Sequence, residues 1–231
     1  MFNELSMGVA EPFRPDENAR NILLVGDSLV MGGNLTDQPQ RLGPLMNVLC
    51  PRVWPVGAGS WAFLNELRYL HQHADILSSL TRIVFVLNSA DFGEASRWIS
   101  ERTHPTQRPV LALWYVIDKK LFPAREAPPI GDSDWRSEFA WLRREYPGPI
   151  TIVLYPTRAE VLDARSRSVN LNAAGEGIGS GMTSYVVIAD GQDWSSSSYR
   201  DEIHPTDEGN AKLARRIVAS IPECKNEGAG H

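Results

Sequence analysis

The chain has 231 residues, of which 42% are hydrophobic and 22% charged, and a formal net charge of -5 at pH 7. That length supports one sizeable core and is short for two. An acidic balance, with no run of Lys and Arg longer than a pair, excludes nucleic acid or an anionic membrane as the main partner and favours a small neutral substrate or a glycan.

Residues 1–20 mix Asn3, Glu4, Glu11, Arg14, Asp16 and Glu17 with short apolar pieces, so they read as an N-terminal extension, neither signal peptide nor membrane span. A single domain over residues 21–221 and a polar tail over 222–231 follow. Cys50 and Cys224 are far apart, and the second falls in that tail. Neither a disulfide framework nor a Cys/His metal spacing is expected, and no cofactor is called for.

The first strand, about residues 21–25, runs from Ile22-Leu23-Leu24-Val25 into Gly26-Asp27-Ser28. Four apolar residues ending in a sharp turn read as a buried parallel strand that presents a serine hydroxyl. A short helix over about 39–49 comes next, with Pro39 in its first turn and Pro51 as its stop. Val53-Trp54-Pro55-Val56 reads as a second strand, and Pro55, which lacks a ladder donor, places it at a sheet edge. Apolar residues from Trp61 to Leu77 then recur at helical spacing, giving one or two crossover helices to about residue 80.

Arg82-Ile83-Val84-Phe85-Val86-Leu87 is the clearest buried strand, ending in Asn88-Ser89-Ala90-Asp91. Residues 92–101 read as helical, 102–109 as a loop, and Val110–Phe122 as helix rather than strand. After a loop at 128–133, Asp132 or Ser133 is expected to cap a helix carrying Trp135, Phe139, Ala140 and Leu142, with Trp135 and Trp141 in its core face. Ile150–Tyr155 is a further strand, followed by a polar helical stretch to about 170, a Gly-rich segment, and a strand over Tyr185–Ala189. Thr206 caps the last helix, whose stripe is Leu213, Ala214, Ile217, Val218 and Ile221. Strands alternating with helices predict an α/β domain: a three-layer, open parallel sheet of about five strands with helices on both faces.

A serine at a strand end becomes a nucleophile only where a base reaches it and donors stabilise the developing oxyanion. Asp201-Glu202-Ile203-His204, just before the last helix, supplies an orienter and a base. A carboxylate three residues before an imidazole accepts from its Nδ1–H and leaves Nε2 facing a serine brought there by folding. Other patterns are weaker. Gly26, Gly32 and Gly33 fit neither a dinucleotide fingerprint nor a phosphate loop, and no Lys follows them. Asp27 reads as a turn residue; His71 and His73 read as solvated, and His104 and His231 as loop and tail residues.

Gly26-Asp27-Ser28-Leu29, a glycine after the second strand, an Asn and an Asp after the third, and Asp-x-x-His near the C-terminus together resemble the SGNH, or GDSL, hydrolase family from about residue 20 to 221. The resemblance implies a flavodoxin-like parallel sheet and metal-free ester hydrolysis or O-acyl transfer on substrates from lipids to acetylated glycans. It makes Ser28 the nucleophile and first backbone oxyanion donor, His204 the general base, Asp201 its orienter and Gly57 the second backbone donor. The family's oxyanion Asn would align with Ala90. Asn88, two residues earlier and on the same side of an extended segment, is the substitute candidate.

Trp61 and Trp194 are candidates for the substrate wall, with Arg158 and Tyr199 beside them. The reading is a serine esterase for a small acyl ester, an acetyl ester on a carbohydrate. An O-acetyltransferase with the same triad and a degenerate glycan-binding module that kept the fold are the alternatives.

Overall fold

The five apolar runs form five strands in the computed structural model, which describes residues 2–15, 20–32, 36–95, 117, 134–163, 178, 183–190 and 192–225. They are β1 (Ile22–Gly26), β2 (Val53–Gly57), β3 (Arg82–Leu87), β4 (Ile150–Leu154) and β5 (Thr183–Val187). All pair in parallel, in the order β2-β1-β3-β4-β5. The sheet direction of the chain reverses between β1 and β3, and in open α/β sheets the crevice beyond the strand ends at such a point receives the ligand.

Side chains alternate across the pleat, so neighbouring residues feed opposite layers. Leu23, Val25, Ile83, Phe85, Leu87, Ile152 and Leu154 pack on one side against α3 (Phe63–Gln72) and α4 (Trp135–Glu145). Ile22, Leu24, Val84, Val86 and Val153 pack on the other against α2 (Leu42–Leu49) and α6 (Asp207–Ser220). The three-layer α/β architecture expected from the sequence is thus present.

Several boundaries differ from the expectation for identifiable reasons. Pro39 belongs to a 3-10 turn over Gln38–Gln40, and α2 starts only at Leu42. The crossover after β2 is one α-helix continued by a 3-10 segment, Ala74–Ser79. The cap of α4 is Asp134, whose Oδ1 accepts the Arg136 N–H at 3.3 Å. The stretches expected as helix at 92–101, loop at 102–109, helix at 110–122 and loop at 128–133, and the Gly-rich segment, lie outside the described residues apart from 92–95, Ile117 and Ile178; at 92–95 the chain is not helical, because Phe92 closes the 3-10 turn Ser89–Phe92. β5 begins at Thr183 and is followed by a 3-10 turn, with exposed positions consistent with its place at the sheet edge.

β2 is the opposite edge, as Pro55 required. The N-terminal segment partly covers it: Met7 bridges Val56 in antiparallel fashion, the Gly8 N–H donates to the Pro55 carbonyl at 2.7 Å, and the Met7 side chain is fully buried.

The expectation that the two cysteines form no disulfide framework is corrected. Cys50, at the end of α2, and Cys224 form a disulfide with Cα atoms 5.3 Å apart. The 3-10 turn Pro222–Cys224 that carries Cys224 is also held by Glu223, whose carboxylate pairs with the buried Arg82 guanidinium at 2.9 Å. Sequence separation hid this, because α2 and α6 lie side by side on one face of the sheet and bring the two ends together.

Candidate active site

β1 ends in a turn at Asp27, whose Oδ1 accepts the Leu29 N–H at 2.8 Å and so caps the four-residue helix α1 (Ser28–Met31). Ser28 is the first residue of that helix, which projects its side chain from the C-terminal end of β1. Asp27 therefore acts as the turn residue it resembled in sequence.

The second part of the site arrives from the far end of the chain. The loop Tyr199–Pro205 is closed at its base by a bridge between those two residues and by the Arg200 N–H on the His204 carbonyl at 2.9 Å. Within it, Asp201 Oδ1 accepts the N–H groups of Ile203 at 2.9 Å and His204 at 2.7 Å. Asp201 Oδ2 lies 2.9 Å from His204 Nδ1, and His204 Nε2 lies 2.9 Å from Ser28 Oγ. The carboxylate fixes the Nδ1–H tautomer, so the Nε2 lone pair accepts the serine hydroxyl hydrogen. Ser28, His204 and Asp201 are thus brought together in one hydrogen-bonded chain.

The Asp201 carboxyl is drawn upward by partial burial. The two backbone N–H groups and the His204 ring outweigh that effect and hold it below the ordinary aspartate range.

Gly57, at the end of β2, is in register with Gly26 and stands beside the Asp27–Ser28 turn. Asn88, after β3, is placed differently from the expectation. Its Nδ2 donates to Asp91 Oδ2 at 2.8 Å and faces Asp27 Oδ2 at 3.5 Å, while its Oδ1 accepts the Ala90 N–H at 2.9 Å. The side chain is buried and committed to two carboxylates, so it ties the turn after β1 to the turn after β3. Ala90 is exposed.

Two of the four wall candidates are inside the protein. Trp194 and Tyr199 are each 6% exposed and form a mutually edge-on trio with Tyr155. Trp194 Nε1 donates to the Tyr199 hydroxyl at 2.9 Å, and that hydroxyl donates to the Pro156 carbonyl. They pack in the core at the base of the Tyr199–Pro205 loop and do not line a wall. Trp61 is half-buried and packs on Tyr69, and Arg158 is half-buried at the first position of α5 (Arg158–Leu162).

Three features escaped the sequence reading. Tyr155, noted only as a strand end, reaches the Ile203 carbonyl through its hydroxyl at 2.7 Å. His71 is not merely solvated: its ring stacks on Trp141 and its Nδ1 lies 2.9 Å from Glu138 Oε2. Glu66 is fully buried near Asp91 and Asp27, and neither carboxyl oxygen has a hydrogen-bond partner among the described residues. A charged residue on the apolar stripe of α3, three residues after Phe63 and four before Leu70, was the available signal.

Among the described residues there is no group of three His, Cys, Asp or Glu able to hold a metal ion, and no helix long and apolar enough to cross a membrane.

Neither a protein-family model nor a curated protein sequence matches this chain. Solved structures do. A member of the lipolytic G-D-S-L family from Veillonella parvula is similar over 87% of this chain and 97% of its own, at 14% identity and a TM-score of 0.51. An active-site mutant of a family two carbohydrate esterase from Clostridium thermocellum is similar over 90% of this chain and 64% of its own, at 15% identity and a TM-score of 0.52. A two-domain esterase active on acetylated mannans is similar over 92% of this chain and 51% of its own, at 12% identity and a TM-score of 0.50. The fold is therefore SGNH/GDSL hydrolase-like, and this chain spans about half to two thirds of the two carbohydrate esterases.

Proposed function

We propose that this protein is a serine hydrolase that cleaves small carboxylic esters through Ser28, His204 and Asp201. The observation that carries the reading is the unbroken pair of 2.9 Å contacts from Ser28 Oγ to His204 and from His204 to Asp201.

In this mechanism His204 Nε2 takes the hydroxyl proton as Ser28 Oγ bonds to the acyl carbon, and the carbonyl electron pair moves onto oxygen. The N–H groups of Ser28 and Gly57 are the donors assigned to that oxyanion. When the intermediate collapses, the carbon–alkoxy bond breaks and the alcohol leaves with the proton held on Nε2. Water then gives a proton to His204, attacks the acyl-serine, and releases the acid and the free Ser28 hydroxyl. Asp201 stays charged throughout and keeps the ring in register.

The substrate class assigned to the site is an acetyl ester on a carbohydrate. It is supported by the acidic net charge without a Lys or Arg cluster and by the two carbohydrate esterases among the structures of similar fold. Trp61 and Arg158, both half-buried, are the remaining candidates for contact with the sugar.

Hydrolysis of p-nitrophenyl acetate by the wild type and by Ser28→Ala tests the reaction class. The wild type should turn over and the variant should not. Equal rates would overturn the assignment.

A further inference from the structure

The loop that carries Asp201 and His204 is internally rigid but narrow at its base. Asp201 binds two backbone N–H groups and the ring of its own loop, so the orienter and the base move together. The base of the loop is the single bridge Tyr199–Pro205 with the flanking Arg200–His204 and Thr206–Ser198 backbone bonds. A loop so built keeps its own shape while tilting about that base. Tilting would preserve the His204–Asp201 contact and lengthen the one to Ser28.

Two contacts oppose the tilt at the far side of the loop. The Tyr155 hydroxyl donates to the Ile203 carbonyl at 2.7 Å, and the Arg158 backbone N–H donates to the Glu202 carbonyl at 2.9 Å. Both come from one place in the fold, the end of β4 and the start of α5. Tyr155 is fully buried, its ring wedged edge-on against Trp194 and Tyr199, and its own N–H donates to the Leu87 carbonyl at the end of β3 at 2.8 Å. β3 pairs with β1, which delivers Ser28. The imidazole and the serine are thereby referred to the same sheet.

We propose that the Tyr155 hydroxyl and the Arg158 N–H are positioning groups that hold the loop by its Ile203 and Glu202 carbonyls and so keep His204 Nε2 on Ser28 Oγ. The inference rests on the serine hydrolase reading and goes beyond it. Neither group touches substrate; both act through the placement of His204. A misplacement on the order of 1 Å at a reacting pair typically costs about 10²-fold in rate.

Tyr155→Phe keeps the wedged ring and deletes only the donor. Arg158→Pro deletes the other donor at the first helical position, where proline is tolerated, after a Thr157 whose φ of -67° and ψ of 164° suit a residue before proline. Its reference is Arg158→Ala, which lacks the same side chain but keeps the N–H. Tyr69→Phe is a control for stability alone, because it removes a buried tyrosine hydroxyl bonded at 2.7 Å to the Leu5 carbonyl, remote from the loop.

The readout is the rate of covalent labelling by a small fluorophosphonate per folded molecule, with kcat and KM for p-nitrophenyl acetate. Tyr155→Phe should label about tenfold or more slowly than the wild type, with kcat reduced and KM little changed. Arg158→Pro should be slowed similarly against Arg158→Ala, and Tyr69→Phe should label at the wild-type rate whatever stability it loses. Wild-type labelling rates in both Tyr155→Phe and Arg158→Pro would overturn the positioning role and leave the hydrolase reading standing. Failure of the wild type to label would overturn the hydrolase reading itself.

Discussion

A Cβ added to Gly57 would lie 2.3 Å from the carbonyl oxygen of Gly26 and 3.0 Å from that of Asp27. The end of β2 therefore runs against the Asp27–Ser28 turn more closely than any side chain permits, and that close approach is what would let a backbone N–H serve an oxyanion formed at Ser28. Gly57→Ala must push the two strand ends apart, since the obstructing atoms are backbone. Turnover should fall by about 10²-fold or more, the typical cost of one lost oxyanion donor, with a stability loss of about 1–3 kcal/mol. Steady-state kinetics beside a denaturant titration separates the two effects; a variant that is destabilised yet fully active would remove Gly57 from the hole.

Asn88 holds Asp91 and Asp27 with its amide nitrogen and the Ala90 N–H with its oxygen. Asn88→Ala strips donors from buried carboxyls and should cost about 1–3 kcal/mol of stability, with turnover per folded molecule much less affected than in Ser28→Ala. Ala90→Asn, by contrast, adds an amide where the resemblance to the SGNH family would place its donor, and should raise turnover. If Asn88→Ala lowered turnover by a hundredfold in fully folded protein, Asn88 would be restored as an oxyanion donor.

Glu66 makes stability depend on pH. Burial raises its carboxyl well above the ordinary glutamate range, and Asp91 and Asp27 add to the effect. The folded state then holds a proton that the unfolded chain releases, so stability falls as pH rises above the ordinary glutamate range toward the raised value. Glu66→Gln keeps the shape and abolishes that proton. From about pH 5 to about pH 8 its urea midpoint should fall less than the wild type's. A residual slope of the same sign should remain, because Asp27 and Asp91 are also raised, in each case first by burial. Parallel slopes for variant and wild type would clear Glu66.

The Cys50–Cys224 bond spans a sequence separation of 174. On the chain-entropy account, opening a loop of that size costs up to about 5 kcal/mol. The double variant Cys50→Ser, Cys224→Ser should show a clearly lower denaturation midpoint, matched by reduced wild type. Labelling of Ser28 should survive, since the bond lies at the ends of α2 and the last 3-10 turn and not at the loop bearing His204. An unchanged midpoint in the double variant would show that the bond contributes no stability.

What the sequence made legible was local. β1 into Gly26-Asp27-Ser28 is one continuous run, and Asp201 and His204 sit within four residues, where a carboxylate can satisfy its own loop. What it hid depended on facing and folding. The period-two argument for Asn88 assumed an extended chain, but a 3-10 turn begins at Ser89, so alternation stops there. Trp194 and Tyr199 are adjacent to the site in sequence yet point into the core, and adjacency carries no information about direction. The cysteines meet only because two helices pack side by side.

The central claim is that Ser28 is activated by His204, and mass spectrometry of the intact protein after fluorophosphonate treatment tests it directly. The wild type should gain one adduct, mapped to the peptide bearing Ser28, and both His204→Ala and Ser28→Ala should gain none. An unlabelled wild type, or an adduct that persists undiminished in folded His204→Ala, would contradict it.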